Sequence, residues 1–276
     1  YECKNTIKNV GLFELSPFSK YEIKGETAYE ELQRLCTANI KNEIGKCTYT
    51  HMLNEGAGIE TDLTVVCIDN NHFRIISSAA VRTHDKAHIL KYLSPDVEFK
   101  DVTDDIICLG VFGPKSRDLL SKLTNEDLSN ENFKFGTSKI LKIGSVNVWT
   151  QRLSYVGELG YELYIDQDKG KEIYDLIVNT GKDFKLSHCG SHAMDIMRME
   201  SGFLHWGHDI SPEENQYQAG LNFAISFKKP FNFIGKEQLQ KIKDQKLDRR
   251  FAMFILKINK PGNPLLLHEE PIYLND

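Results

Sequence analysis

Short segments that alternate polar and apolar residues, separated irregularly by segments of helical period, limit most strongly what this chain can fold into. Four of them, KYEIKG, CTYTHMLN, TDLTVVCI and HFRIISS, predict β-strands, and the turn at 69–71 joins the last two into a hairpin. The apolar run IICLGVF predicts a buried strand, and KILKIGSVNVWTQRLS predicts a second hairpin. Helical spacing predicts helices at about 27–36, 84–93, 171–180, 191–202 and 236–243. Antiparallel hairpins mixed with helices in no regular order predict an α+β fold rather than a doubly wound parallel sheet.

The length and the two ends of the chain predict part of a larger protein. At about 150 residues per domain, 276 residues correspond to about two domains. The charged stretch KIKDQKLDRR marks a boundary near residue 245, so we expect a main domain at 1–245 and a second unit at 246–276, beginning with the strand RRFAMFILKI. The first residue is not Met, and the final EEPIYLND resembles a strand that leads into a turn. We therefore expect a fragment or a subunit of something longer.

Charge and hydropathy exclude several classes of partner. Lys and Arg number 34 against 39 Asp and Glu, so the net charge of −5 provides no large basic field for nucleic acid. No run approaches the ~20 apolar residues that cross a membrane, so we expect no membrane partner. The start, YECKNTIKNVG, lacks the apolar core of a secretory signal.

The six cysteines predict the redox compartment. None is arranged as CxxC, and several lie in apolar stretches such as LTVVCI and DIICLGVF. This distribution is typical of buried free thiols. It predicts a reducing compartment, the cytoplasm or alternatively the mitochondrial matrix.

Common nucleotide and metal motifs are missing from the sequence. No GxGxxG follows a strand and opens a helix, and no GxxxxGK[ST], HExxH or CxxC is present. His205 and His208 flank Trp206 and Gly207, but no third or fourth ligand stands nearby in the sequence. No metal site is predicted.

Asp62 begins the strand in MLNEGAGIETDLTVV, directly after a glycine turn. Carboxylates are depleted inside strands, because a buried one has to be paired or hydrogen-bonded. From this stretch alone, Asp62 is either an exposed strand-end or turn-capping residue, or a partly buried carboxylate that acts as a general base or positions a ligand.

Glu162 lies between two tyrosines in RLSYVGELGYELYI. Gly157 and Gly160 allow the backbone to approach closely beside this strand. A carboxylate in an aromatic setting can bind the edge of an amidine-like heterocycle through two parallel hydrogen bonds. The alternative is a hairpin whose glutamate points outward to solvent.

Asp195 and Arg198 are one helical turn apart in AMDIMRMESGFLHWGHDISPEEN. This spacing places both on one helix face, where they can form an ion pair while the methionines pack in the core. The alternative is that Arg198 steers the anionic tail of a ligand.

Taken together, these stretches resemble the folate-binding aminomethyltransferase family, whose best-known member is the T-protein of the glycine cleavage system. The resemblance runs from GLFELSPFSKYEIKG through YTHMLNEGAGIETDLTVV and RLSYVGELGYELYI to HWGHDISPEENQYQAGL and FIGKEQL. Within the family, SYVGELGYEL and HWGHDISPEE are most similar to the C-terminal folate half of dimethylglycine and sarcosine dehydrogenases. T-proteins carry an arginine where this chain has Met194, which disfavours a glycine-cleavage role.

The resemblance implies two interleaved α+β lobes around a tetrahydrofolate channel, followed by a small C-terminal β-barrel of which only the start is present. It implies that Asp62 is the catalytic aspartate and that Glu162 reads the edge of the pterin. Tyr49 and Tyr155 match residues that line the folate pocket, and Phe203 falls where some relatives have a pocket tyrosine.

The reaction implied by the resemblance is a one-carbon transfer linked to the catabolism of N-methylglycine and dimethylglycine. Tetrahydrofolate takes the methylene of an iminium or aminomethyl donor at N5, the amine leaves, and N10 closes the ring to give 5,10-methylenetetrahydrofolate. Asp62, near N10, accepts or positions the proton. Oxidation of an N-methyl amine needs a flavin, and the sequence has no flavin fingerprint. We therefore expect a flavin dehydrogenase domain or subunit as a partner and no FAD in this chain.

Two alternatives remain open. One is a glycine-cleavage T-protein aminomethyltransferase, which would need a lipoyl carrier protein. The other is a non-catalytic, folate-binding regulatory module, which would not need the carboxylate of Asp62.

Overall fold

The computed structural model of the protein describes residues 1–257, 260 and 270–273. Its α-helices are α1 (Glu2–Lys8), α2 (Ala28–Leu35), α3 (Arg82–Tyr92), α4 (Ser116–Leu120), α5 (Gly170–Gly181), α6 (Ser191–Glu200) and α7 (Lys236–Lys243). Its first strands are β1 (Val10–Glu14), β2 (Ser19–Lys24), β3 (Cys47–Leu53), β4 (Ile59–Asp69), β5 (His72–Ser77) and β6 (Glu98–Asp101). The remaining strands are β7 (Ile106–Phe112), β8 (Ser138–Ile143), β9 (Val146–Gln151), β10 (Gly160–Asp166) and β11 (Leu186–Cys189).

The strands form two sheets, one of which is inserted into the other along the chain. β2 to β6 form a five-stranded sheet in the order β3-β4-β5-β2-β6. β1 and β7 to β11 form a six-stranded sheet in the order β11-β1-β7-β10-β9-β8. Because the whole five-stranded sheet lies between β1 and β7 in the sequence, the two α+β lobes are interleaved, and this prediction is confirmed.

Each sheet buries one face against its own helices and turns the other toward its neighbour. Leu32 of α2 and Ile89 of α3 belong to the core of the five-stranded lobe, and Ile173 of α5 belongs to that of the six-stranded lobe. A further apolar cluster contains Ile76 of β5 together with Tyr164 of β10. The free faces of the two sheets therefore meet, and a ligand site can form between them.

The predicted strands and helices up to residue 243 are present, with ends that differ by a few residues. The sequence patterns missed α1, β1, β6 and β11. β1 is almost continuously buried and so has no alternation, and β11 is a four-residue strand that pairs in parallel with β1. Such pairing depends on contacts far along the chain. All six cysteines are free, as predicted. Within the described residues, no helix is both long enough and apolar enough to cross a membrane.

The predicted strand RRFAMFILKI is wrong over residues 249–257, which form no strand. Phe251 donates its backbone N–H to the carbonyl of Gln218 (2.8 Å), so the segment is hydrogen-bonded to the loop between α6 and α7 rather than to a strand. Alternation predicts a strand only where a neighbouring strand is available, and Ile255 remains 88% exposed. Residues 258–259, 261–269 and 274–276 lie outside the described part, so a barrel beginning at 246–276 stays a prediction.

Lys229 holds the C-terminal end of α2. Its buried ammonium donates to the backbone carbonyls of Gln33 (2.5 Å), Cys36 (2.5 Å) and Ala38 (3.0 Å). The last carbonyls of a helix have no partner within the helix, and a cation there is favourable. Lys229 therefore ties α2 to the segment that precedes α7.

Replacing Lys229 with methionine should lower the free energy of unfolding by about 2–3 kcal/mol, because three buried carbonyls lose their donor. The measurement is urea denaturation followed by circular dichroism. Lys228→Met changes the exposed neighbouring lysine and should remain within about 0.5 kcal/mol of the native value. Equal stability of the two variants would contradict this role of Lys229.

Candidate functional site between the two sheets

The facing sides of the two sheets bring together most of the side chains that the sequence singled out. Asp62 and Thr64 lie on one face of β4, and Thr64 is paired with Ile76 of β5. Ile76 packs in the same cluster as Tyr164, which shares a face of β10 with Glu162. Asp62 and Glu162 therefore lie on the two sheet faces that meet.

Asp62 is a half-buried carboxylate inside β4, not a residue at the end of a strand. The hydroxyl of Tyr49 donates to its Oδ2 (3.3 Å). Burial raises the pKa of Asp62 to about 6; the hydrogen bond from Tyr49 opposes this rise, and the negative charge of Asp85 adds to it. A carboxylate with this pKa can accept a proton near neutral pH, which favours the general-base interpretation.

Two stacked aromatic pairs each include a tyrosine that interacts with Asp62. Tyr49 stacks on Phe223, with ring centroids 6.1 Å apart, and Tyr155 stacks on Phe203 at 6.0 Å. Burial raises the pKa of Tyr49, and the charges of Asp62 and Tyr155 raise it further, so these three groups are neighbours. The hydroxyl of Tyr155 donates to the carbonyl of Leu204 (2.7 Å), which fixes its ring. Three of the predicted pocket residues, Tyr49, Tyr155 and Phe203, thus lie in one aromatic group beside Asp62.

Glu162 is buried in β10, with 8% of its surface exposed, so the outward-facing alternative is wrong. The hydroxyl of Tyr164 donates to its Oε2 (2.8 Å). Burial raises the pKa of Glu162 to about 7, and the bond from Tyr164 opposes this rise. None of the hydrogen bonds found among the described residues uses Oε1. This oxygen is therefore available to a ligand, as an acceptor when ionised and as a donor when protonated.

Strand β3 connects the surroundings of the two carboxylates. Cys47, Tyr49 and His51 alternate along one face of β3. The thiol of Cys47 approaches the Oε1 of Gln151 (3.9 Å), and Gln151 lies directly opposite Glu162. Residues two apart on a strand are separated by about 7 Å, so one face of β3 extends from the neighbours of Glu162 to Asp62.

Sequence reasoning missed two polar side chains next to Glu162. Gln151 and Trp149 lie on β9 opposite Glu162 and Tyr164. The Nε2 of Gln151 and the Nε1 of Trp149 are buried and have no hydrogen-bond partner among the described residues. Unpartnered buried donors are rare in native proteins. The alternation in VNVWTQ places both on one face, which is the signal that could have found them.

Arg198 forms the ion pair that the helical spacing predicted. Its Nε donates to the Oδ1 of Asp195 (2.8 Å), and its Nη1 donates both to the Oδ2 of Asp209 and to the carbonyl of Phe203 (3.0 Å). The side chain of Arg198 is 3% exposed. Two carboxylates already balance its charge, so this arrangement favours the structural interpretation over the steering of an anionic ligand.

An apolar cavity of about 390 Å³ opens next to the aromatic group. Phe203 and Phe223, which stack on Tyr155 and Tyr49, both line it. Leu221 and Phe251 contribute further apolar surface. Apolar space beside a few oriented polar groups is typical of sites for small organic ligands.

Comparison with known proteins identifies the family. A family model described as the GCVT N-terminal domain matches residues 1–229. The chain belongs to the GCVT family. The predicted resemblance to this family is therefore confirmed.

Relatives of this GCVT chain include proteins named as an oxidase and as a dehydrogenase. It is 37% identical over 275 residues to 4-methylaminobutanoate oxidase (formaldehyde-forming) of Paenarthrobacter nicotinovorans, over 99% of the chain and 33% of the relative. It is 36% identical over 258 residues to mitochondrial dimethylglycine dehydrogenase of Rattus norvegicus, over 92% of the chain and 30% of the relative. The GCVT chain therefore spans about a third of the length of these curated relatives.

The fold of the GCVT chain is also that of a solved aminomethyltransferase. The glycine cleavage system aminomethyltransferase T of Bartonella henselae superimposes with a TM-score of 0.78 at 22% identity, over 88% of this chain and 65% of that one. The likeness confirms the predicted aminomethyltransferase-like α+β fold.

Proposed function

We propose that this chain catalyses a tetrahydrofolate-dependent one-carbon transfer that forms 5,10-methylenetetrahydrofolate, linked to the breakdown of N-methylglycine and dimethylglycine. The observation that carries the proposal is the placement of Asp62, whose pKa is raised to about 6, on the sheet face opposite Glu162. One carboxylate is poised for proton transfer, and the other is buried with an oxygen free for a ligand.

The side chains around Glu162 fit the pterin of tetrahydrofolate. A pterin edge carries both hydrogen-bond donors and acceptors, and Glu162 with the unpartnered nitrogens of Gln151 and Trp149 offers both kinds of group. Glu162 would hold this edge, and Tyr49, Tyr155 and Phe203 would form the apolar walls. When bound, tetrahydrofolate supplies the nucleophilic nitrogens that take up the one-carbon unit.

Asp62 is the proposed catalytic residue. Its carboxylate accepts the proton that is released as the transfer completes and stabilises positive charge on the donor. The attraction between a carboxylate and a cationic iminium is stronger in a pocket with little water. Glu162 contributes by fixing the orientation of the ligand, and orientation can provide up to about 7–11 kcal/mol of the barrier reduction.

We propose that the donor comes from an N-methyl amine, which a flavin dehydrogenase domain or subunit oxidises by two electrons to the iminium that this chain receives. The names of the two curated relatives, one an oxidase and one a dehydrogenase, support this partner. We further propose that residues 1–245 form the folate-binding unit and that 246–276 begin a β-barrel. Six free cysteines fit a reducing compartment, the cytoplasm or the mitochondrial matrix.

A glycine-cleavage aminomethyltransferase is the second candidate, because the fold matches such an enzyme with a TM-score of 0.78. Met194 disfavours it. This side chain packs against the apolar cluster between the sheets, so it offers no charge at the position where T-proteins have arginine.

The test is calorimetric titration of the purified chain with tetrahydrofolate, followed by an assay of methylene transfer from formaldehyde, or from an N-methyl amine that an added flavin dehydrogenase oxidises to the iminium. We expect binding and turnover above the uncatalysed rate, with no flavin absorbance band. Turnover only with a lipoyl carrier protein would favour the second candidate. Binding without any turnover would favour a non-catalytic folate-binding regulatory module.

A further inference from the structure

A chain of hydrogen bonds extends from Asp62 through β3 into the loop that follows α6. The hydroxyl of Tyr49 lies 3.3 Å from the Oδ2 of Asp62 and 3.2 Å from the Nε2 of His51. The Nδ1 of His51 lies 2.7 Å from the Nε2 of Gln216. The same nitrogen of Gln216 lies 3.1 Å from the hydroxyl of Thr37.

The contacts of Thr37, at the end of the hydrogen-bond chain farthest from Asp62, determine which atom donates in each hydrogen bond. Thr37 has one hydroxyl proton, and it donates this proton to the carbonyl of Ala224 (2.9 Å). A carbonyl can only accept, so the hydroxyl oxygen of Thr37 accepts from Gln216, and the Gln216 atom that faces it must be the amide nitrogen. This nitrogen also donates to the Nδ1 of His51. The proton of the neutral imidazole is therefore on Nε2, from which it is donated to the oxygen of Tyr49.

His51 keeps this single-proton form over the working pH range. It is fully buried, and burial lowers its pKa to about 3. Because the oxygen of Tyr49 already accepts from His51, its own proton is directed to the Oδ2 of Asp62.

We propose that His51 and Gln216 are positioning residues that hold the Tyr49 hydroxyl as a permanent donor to the Oδ2 of Asp62. The Oδ1 oxygen of Asp62 is thereby left as the one that takes the proton from bound substrate. This last step rests on the proposed function, whereas the direction of the hydrogen-bond chain does not.

Three elements present charged or titratable groups to Asp62. β3 contributes Tyr49 and the neutral His51, α3 contributes the buried Asp85, and the segment before β10 contributes Tyr155. Tyr155 stays neutral where Asp62 titrates, because burial raises the pKa of the Tyr155 hydroxyl above its ordinary value. Asp85 is anionic, so it disfavours the ionised form of Asp62. Tyr49 is the donor that favours it, and a weaker donor should therefore raise the pKa of Asp62.

The experiment is a carbon-13 NMR titration of the Asp62 carboxyl in the full chain without folate, with the resonance assigned by its loss in Asp62→Asn. Tyr49→Phe and His51→Leu should each raise the pKa of Asp62 by about 1, as expected for losing or loosening one hydrogen bond to a carboxylate. His51→Gln keeps a nitrogen at the position of Nε2 and should restore most of the shift. His72→Leu, in which a histidine of β5 is lost, should leave the pKa of Asp62 unchanged.

The double variant Tyr49→Phe/His51→Leu separates a positioning role from a general loss of packing. If His51 acts through Tyr49, the double variant should titrate like Tyr49→Phe alone. A shift from His51→Leu that persists in the Tyr49→Phe background, or no shift in either single variant, would overturn the proposal. Gln216→Met, which leaves His51 in place, should also raise the pKa of Asp62. It tests the hydrogen-bond chain if His51→Leu does not fold.

The titration contains no folate, so its result is independent of whether the chain catalyses methylene transfer. If transfer is found, the acid limb of its pH profile should move upward with the pKa of Asp62 in each variant. A fall in rate with an unmoved acid limb would assign His51 a purely structural role.

Discussion

Asp62→Asn is expected to abolish formation of 5,10-methylenetetrahydrofolate while leaving the affinity for tetrahydrofolate within about tenfold of the native value. Asparagine keeps the shape of the side chain but cannot accept the proton, and loss of such a group typically costs about 10²–10⁴-fold in rate. The measurements are turnover at saturating folate and calorimetric titration. Asp69→Asn, at the exposed end of the same strand, is the matched control and should keep native turnover.

The pH dependence of the native rate is a second test of the role of Asp62. Because the pKa of Asp62 is about 6, the rate should fall as the pH drops through 6, where the carboxylate becomes protonated. Native turnover in Asp62→Asn would refute the catalytic role. A native chain that binds folate without turnover would instead identify a binding module.

Glu162→Gln is expected to weaken binding of tetrahydrofolate by about 30–100-fold, because the amide can accept from Tyr164 but presents a different pattern of donors to the pterin edge. The measurement is calorimetric titration at pH 7. Glu98→Gln replaces an exposed glutamate on β6 and should leave the affinity unchanged. An affinity of Glu162→Gln equal to that of the control would remove Glu162 from the binding site.

The same variant should be more stable than the native chain at pH 8. The pKa of Glu162 is about 7 in the folded state against 4.5 in its ordinary range, so the folded state binds more protons than the unfolded state between these values. The free energy of unfolding therefore falls as the pH rises through this window, by about 3 kcal/mol for this group. Glu162→Gln removes that loss, and thermal unfolding at pH 5 and pH 8 measures it. A variant no more stable than the native chain at pH 8 would show that other interactions in the folded state offset the cost of burying the ionised carboxylate.

Hydrophobic periodicity and turn residues predicted those strands and helices that depend mainly on nearby residues in the sequence. The β4–β5 hairpin around 69–71 and the helix that ends before Gly202 were evident from hydrophobic period and turn residues. β11 and residues 249–257 show what local sequence patterns could not predict. The parallel pairing of β11 with β1 depends on a strand far away in the sequence, and residues 249–257 alternate like a strand but find no partner.

The candidate site was predicted in part. Asp62 and Glu162 were singled out as carboxylates in unusual settings. Their sequence context also allowed each side chain to be exposed to solvent and to have no role in a site. Burial excludes the exposed alternatives, and both pKa values are raised by the loss of water that only packing produces. His51 could have been found from its alternation with Tyr49, whereas nothing near Gln216 in the sequence signals a contact with β3.

The sequence by itself determined the α+β class, the strands and helices with strong periodicity, the free cysteines and the family. The tertiary structure alone decided which sheet faces meet, that Arg198 is already neutralised, and that hydrogen bonds are donated in one direction from Gln216 through His51 and Tyr49 to Asp62. The physical reason is that periodicity reports which side of an element is buried, but not what it is buried against. The pKa and the proton position of a buried group depend on that neighbour.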